Sequence, residues 1–349
     1  MSAAVVLRVG PLSVRTTRRM LLVCTALVVF ALGLAVWAMT LGSYGLNAGE
    51  VIGAFLGTSE GAARKVVLEW RAPRVVAALL FGAALGISGS IFQSLTRNPL
   101  GSPDVIGFST GSYTGVILVM LTGATGYAAF AAGALIGGVL TAVVVYVLAF
   151  RRGMQGFRLI IVGIAMGALL NSLNTWFSTR ADVDLALRAA VWGAGSLAAV
   201  DWTMLGFAAI AIGAVLLCAP AAQRRMRRLE LGDDASAMLG IPLERTRGML
   251  MLLGVAAVAA VTAAAGPIAF VALAAPQIGQ RLTGRGTSVD LVGAALTGSV
   301  LLLVADVIAQ HAIPDVTLPT GAVTICIGGI YLLVLLMRES RRFTGGGRR

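Results

Sequence analysis

The feature that most constrains this chain is a succession of apolar runs, each close to the length of a bilayer crossing. A helix needs about 20 apolar residues to cross the hydrocarbon core. On that ruler the runs fall at 20–41, 72–95, 104–122, 126–150, 157–177, 202–220, 248–265, 267–282, 289–309 and 319–337, which predicts ten crossings. The eighth run is short and contains Pro276; a further segment, 189–199, is too short to span and is expected as a re-entrant or surface helix. Composition leaves no soluble alternative: 58% of residues are hydrophobic and 12% charged, with a mean hydropathy of +0.91. Soluble domains carry about twice that charged fraction, and a core of this size could not hide so much apolar surface. The expected fold class is an all-α integral membrane protein. The 44 glycines fit it, because small residues let membrane helices approach closely.

A net charge of +12 raises nucleic acid as a partner. The basic residues, however, sit in short clusters between apolar runs, with no basic groove and no aromatic–basic patch, so no nucleic-acid role is expected. An even number of crossings puts both termini on one side. Both are basic, with Arg8, Arg15, Arg18 and Arg19 at one end and Arg338, Arg341, Arg342, Arg348 and Arg349 at the other. The positive-inside rule then places both in the cytoplasm. In that orientation only Arg64, Lys65, Arg71, Arg74, Arg180 and Arg188 face outward, leaving 21 of 27 basic residues inside. The first run, Met20 to Leu41, is longer than a signal-peptide core of roughly 7–15 residues, so it is expected to remain as the first span. The chain is thus read as a cytoplasmic tail (1–19), a ten-helix domain (20–337) with a cytoplasmic loop at 221–247, and a second cytoplasmic tail (338–349). It is placed in the cytoplasmic membrane, surrounded by lipid.

Reactive chemistry is scarce. Cys24, Cys218 and Cys326 lie far apart in apolar runs and read as small hydrophobes. His311, the single histidine, has no Cys or His neighbour, so no metal site is expected. A phosphate-binding P-loop needs a lysine followed by Ser or Thr; Lys65, the one lysine, is followed by Val66. No cofactor and no catalytic residue are therefore expected on this chain. Asp306 is the main acid within an apolar run and lies near the outer end of the ninth. Ion-coupled carriers place ionisable groups deep in the bundle, which weakens that class; pairing near the interface and a role in transport both stay open for Asp306.

The polar exception is Arg224 to Arg247, "RRMRRLELGDDASAMLGIPLERTR". Within it, Asp233 or Asp234 suits a helix N-cap, Gly240 a left-handed C-terminal position, and Pro242 stops continuation. A helix this short is unstable alone and must dock, either on its own bundle or on a partner. Two Pro/Gly-broken stretches, "TRNPLGSPD" (96–104) and "APQIGQRLTG" (275–284), echo one another in the manner of a transporter's internal repeat. The longest outer loop, 42–70, contains "LNAGEVIGAFLG", which reads as a short surface helix.

Five stretches together resemble one known family. They are "RAPRVVAALLFGAALGISGSIFQSLTRNPLGSPDVIGFSTGS" (71–112), "LIIVGIAMGALLNSL" (159–173), "LELGDDASAMLGIP" (229–242), "GPIAFVALAAPQIGQRLTG" (266–284) and "LPTGAVTICIGG" (318–329). In this order they resemble the permease subunits of ATP-binding-cassette importers for ferric siderophores, haem and cobalamin. The resemblance runs nearly the full length of the chain. It implies the type II importer permease fold, a dimer of permeases, an extracytoplasmic substrate-binding protein, and separate ATPase subunits that carry ATP and Mg. It implies that Leu231, Gly232, Asp233, Ala235, Leu239 and Gly240 form the helix that couples to the ATPase. It implies that Arg71 and Arg74 receive carboxylates of the binding protein, such pairs steering docking more than adding affinity; the bland alternative is snorkelling anchors.

The chain departs from the family pattern in places. A third docking arginine of the cobalamin relative falls where this chain has Gln310. The usual Pro-His is Pro276-Gln277, and Gln280 precedes Arg281. These changes resemble one half of a ferric-enterobactin-type pair, in which two different permease chains associate, so homodimer and heterodimer stay open. Asn98 and Pro99 at the cytoplasmic mouth read as a brace or as a pathway contact. The family's cytoplasmic gate maps onto Gln155, Gly156 and Phe157. The expected cargo is a ferric siderophore; cobalamin or haem on the same machine, an ion-coupled carrier, and a scaffold that moves nothing are the rivals.

Overall fold

The computed structural model describes residues 4–9, 12–150, 156–284, 289–314 and 316–345, with side chains from 17 to 334 within those ranges and at Met337. A two-stranded antiparallel hairpin, β1 (Ala4–Val9) and β2 (Leu12–Thr17), precedes the helices, with Ala4 opposite Thr17. All other regular structure among the described residues is helical. Helix α1 spans Arg18–Thr40, α2 Ala48–Leu56 and α3 Ala62–Lys65; a π-helical turn, Val66–Arg71, leads into α4 (Ala72–Thr96). Then come α5 (Phe108–Leu121), α6 (Tyr127–Ala149), α7 (Gly156–Arg180), α8 (Val183–Gly193) and α9 (Trp202–Leu229). The chain ends with α10 (Asp233–Met238), α11 (Leu243–Ala265), α12 (Val271–Thr283), α13 (Leu291–His311) and α14 (Thr320–Gly345).

Each of the ten expected crossings falls on one of these helices. Seven helical segments are long and apolar enough to cross a membrane by length and composition: Arg18–Thr40, Ala62–Thr96, Tyr127–Ala149, Gly156–Arg180, Trp202–Leu229, Leu243–Ala265 and Leu291–His311. The third, eighth and tenth expected crossings fall on α5, α12 and α14, which are shorter or only partly apolar. Of the apolar segment 189–199, residues 189–193 form the end of α8 and the rest is turn and irregular structure. "LNAGEVIGAFLG" is α2, closed by a capping box. Asn47 accepts from the Glu50 N–H (2.9 Å), Glu50 accepts from the Asn47 N–H (2.8 Å), and Gly57 ends the helix at φ 78°.

Helix α4 is the axis of the bundle. It is the most enclosed of the long helices and packs on α13, α11, α12 and α9. Small residues make this possible. A Cβ on Gly82 would strike the Gly298 backbone, one on Gly86 the Ala294 carbonyl, and one on Gly89 the Ala272 carbonyl. The same device joins α5 to α6. There Gly111 and Gly115 on one helix face Gly133 and Gly137 on the other, each pair four residues apart and backbone against backbone. The Ala272 carbonyl is also the one that Pro276, lacking an N–H, leaves without its helical donor. Pro276 does not interrupt its helix: α12 runs through it. The break expected within 275–284 lies instead just before α12, where Phe270 takes a positive φ of 68°.

Candidate coupling and docking surfaces

Three groups of expected site residues lie at two ends of the bundle. At one end, α9 runs on past its apolar run, so Arg224, Arg225, Arg227 and Arg228 ride its last turns, favourably placed at a helix C-terminus. The chain then turns at Gly232 (φ 97°), forms α10, and leaves it through Gly240 (φ 71°). The left-handed Gly240 agrees with the sequence reading. The N-cap does not: Gly232 occupies that position, no side chain caps the helix, and Asp233 and Asp234 fall in its first turn. Asp233 is engaged elsewhere, accepting from Arg97 Nη2 (2.5 Å) and Arg247 Nη2 (2.6 Å). Although burial pushes this carboxyl upward, its bonds to Arg247 and Arg97 outweigh that and hold it below its ordinary 3.8.

One side of α10 is fastened and the other is bare. Ser236 is buried and donates to the Arg228 carbonyl (2.7 Å). Glu230, just before the turn, accepts from the Val289 N–H (2.6 Å). Met238 is 90% exposed, Leu239 63% and Leu231 60%. Three large apolar side chains in a row of turns, held outward by a fastened backbone, form a ready contact surface. Gly232 and Gly240 have open space where a Cβ would stand.

Beside this end lies the elbow between α4 and α5. Asn98 braces it by accepting from the Leu100 N–H (2.9 Å). The two broken stretches singled out in the sequence meet here. Gln277 Nε2 donates to the Pro99 carbonyl (3.0 Å) and to Gln93 Oε1 (3.2 Å), while Gln93 donates to the Leu273 carbonyl (3.0 Å). A buried polar group needs such partners, and each of these glutamines satisfies part of the other. Of the expected gate residues, Gln155 lies outside the described residues. Gly156 packs on the Thr96 backbone at the end of α4, and Phe157 is exposed on the first turn of α7.

At the opposite end the expected docking residues are drawn into the protein's own structure. Arg74 Nε and Nη2 grip the Asp306 carboxylate in a fork (2.9 Å to each oxygen), with the side chains 14% and 1% exposed. Gln310, one turn further along α13, donates to the same carboxylate (2.7 Å), and Thr320 is its third partner (2.9 Å). Such a fork suits a guanidinium and is the form in which a buried carboxylate is tolerated. Arg71 Nη1 and Nη2 cap the Met39 and Tyr44 carbonyls (2.7 Å each), closing the chain after α1. Sequence reasoning left Asp306 undecided; the hydrophobic flank gave no sign that Arg74, 232 positions away, would be its partner.

The fold and these surfaces define a class: a many-helix membrane protein with an enclosed central helix and a short fastened helix presented at one end. The match to known proteins is narrower. The chain belongs to the FecCD transport family, whose model matches residues 15–338. It is 46% identical over 326 residues to the ferric enterobactin transport system permease protein FepG of Escherichia coli (strain K12), covering 93% of this chain and 98% of that protein. It is 32% identical to the iron(3+)-hydroxamate import system permease protein FhuG of Bacillus subtilis (strain 168), covering 83% and 89%. It is 35% identical to the vitamin B12 import system permease protein BtuC of Salmonella typhi, covering 80% and 86%. Among solved structures, an inward-facing metal-chelate-type ABC transporter superposes with a TM-score of 0.81 at 24% identity, over 90% of this chain and 99% of that one.

Proposed function

We propose that this chain is a permease subunit of an ATP-binding-cassette importer that carries a ferric siderophore across the cytoplasmic membrane, with both termini in the cytoplasm and ten crossings. The observation that carries the reading is α10: a short helix fastened on one side and presenting Met238, with Leu231 and Leu239 just beyond its two ends, on the other. A chain without its own nucleotide site needs such a surface to receive force from a separate ATPase holding ATP and Mg. The cargo is supported by the likeness to a ferric enterobactin permease, a type that the departures at Gln277 and Gln310 also resemble. A second permease chain completes the pathway, and Asn98, Pro99, Gly156, Phe157 and Gln155 are assigned to its cytoplasmic mouth.

Arg71, Arg74 and Gln310 are assigned to the docking edge for an extracytoplasmic binding protein. Because Asp306 neutralises Arg74, the attraction for a partner's carboxylates rests mainly on Arg71, while Asp306 fixes Arg74 and Gln310 in position. The test is uptake into proteoliposomes containing this chain, its companion permease and the ATPase. Binding protein is added with radiolabelled ferric enterobactin, cobalamin or haem in separate arms. ATP-dependent uptake of the ferric chelate that falls in Met238→Glu, a substitution of a side chain with no internal role, is the expected result. Uptake of cobalamin or haem alone would change the cargo. Uptake undiminished without the ATPase would overturn the importer reading.

A further inference from the structure

What α10 can transmit depends on what it is bolted to, since a helix of six residues does not hold its shape alone in water. Two of its fastenings are local to its own loop: Ser236 to the Arg228 carbonyl and the turn of Gly232. The Asp233 pair reaches further. Through Arg97 it joins α10 to the end of α4, and through Arg247 to the first turns of α11. Arg97 stands at φ 49°, a left-handed conformation that non-glycine residues adopt rarely, as the C-cap of α4. Such a residue costs energy to hold and persists only where its surroundings fix it. Its guanidinium, at 2.5 Å from Asp233, supplies such a fixing contact. Arg247 is 11% exposed and is itself steadied by Glu244 (3.4 Å). Asp233 is therefore flanked by two cations from two different long helices, in short charge-assisted bonds that fix geometry more than they add stability, since Arg97 is 53% and Asp233 44% exposed. At its far end α4 carries Arg74, forked onto Asp306 of α13. A single stiff helix thus runs from the surface assigned to the ATPase to the end assigned to the binding protein.

We infer that Asp233 is a positioning residue which, with Arg97 and Arg247, clasps α10 rigidly to α4 and α11, so that displacement of α10 is carried directly into the bundle's central helix. The inference rests on the reading of α10 as the ATPase contact. The clasp stays closed through the transport cycle; it is a link and not a switch. A loop helix that merely filled space would need no bond to the end of α4.

The experiment uses the whole complex in proteoliposomes, with ferric enterobactin as the transported probe. Arg97→Gln and Asp233→Asn are compared with the unmodified chain for co-purification with the ATPase, ATP turnover and uptake. Arg97→Gln, which lies outside the surface assigned to the ATPase, is expected to retain the ATPase and its turnover while the number of chelates moved per ATP falls by about tenfold, and Asp233→Asn is expected to lower the same ratio. Arg97→Lys, which keeps a cation within reach of a single carboxylate oxygen, is expected to recover uptake to within about threefold of the unmodified chain. A second arm tests rigidity. With Cys24, Cys218 and Cys326 replaced by serine, Arg97→Cys and Asp233→Cys are joined by a short bifunctional thiol reagent, and uptake is expected to return. Equal coupling in Arg97→Gln and the unmodified chain would overturn the clasp alone. So would loss of ATPase attachment in Asp233→Asn, since Asp233 would then shape the docking surface only. Failure of the cross-linked pair to transport would overturn the rigid link. No ATP-dependent uptake by the unmodified chain would overturn the importer reading and the clasp together.

Discussion

Arg74 shows how much one residue's meaning depends on a distant partner. In the sequence it flanks Pro73 on the less basic side of the membrane and resembles a docking cation. In the fold it is 14% exposed and closes a fork on a carboxylate that is 1% exposed. Removing one partner of such a pair strands the other, at a cost of about 3–5 kcal/mol. Arg74→Ala is therefore expected to lower the thermal unfolding temperature of the detergent-solubilised protein sharply. Arg74→Ala combined with Asp306→Ala should be milder than Arg74→Ala alone, because no charge is left buried. If the double variant is the more damaged, the pair is not what holds α4 to α13. Arg71 makes a different prediction. Its guanidinium caps two main-chain carbonyls near the surface, so Arg71→Glu should weaken binding-protein capture in a salt-dependent way, read as a slower association rate.

At the level of elements, the packing of α5 on α6 rests on Gly111, Gly115, Gly133 and Gly137, whose missing side chains bring the two backbones together. Gly115→Leu is expected to push the helices apart. Overpacking of this kind costs about 1–3 kcal/mol and should appear as earlier unfolding and reduced yield. Gly206, which has open space where a Cβ would stand, is the matched control: Gly206→Ala should be neutral. For α10 the variable is pH. Asp233 faces Arg97 from α4, and Arg247 from α11 with Glu244 beside it; its carboxyl lies below the ordinary value. A depressed carboxyl contributes stability above its unfolded value of about 3.8 and loses it as pH falls through the lower folded value. The clasp should thus be constant from pH 8 to about 5, and Asp233→Asn should shift the unfolding temperature by the same amount across that window. Because Asp233 is 44% exposed, solvent screens the pairs and the shift should correspond to only about 0.5–1 kcal/mol.

For the whole molecule, orientation is the testable quantity. Lys65 lies at the Arg71 end and Met238 at the opposite end, both exposed. In a chain whose three cysteines are serine, Lys65→Cys should react with a membrane-impermeant maleimide from outside intact cells. Met238→Cys should react only after the membrane is opened. The reverse pattern would invert the topology and remove α10 as an ATPase contact.

The sequence by itself determined the class and the course of the chain. A run of about 20 apolar residues has few options in a bilayer, because every backbone group must be satisfied within its own helix. Hence the ten runs fall on ten helices, "LNAGEVIGAFLG" becomes the capped α2, and Gly240 takes the left-handed turn that its missing Cβ permits. Local rules went astray where a side chain had a choice of partners. Asp233 reads as an N-cap because a nearby amide is its cheapest partner, yet two arginines 136 and 14 positions away hold it instead. Arg74 with Asp306, and Gln277 with Gln93 and Pro99, were likewise invisible along the chain. Which helices lie together is decided by close packing of glycine faces that no single helix specifies. Only once that packing is made do charges far apart in sequence come within hydrogen-bonding distance, and tertiary structure alone decides which of them pair.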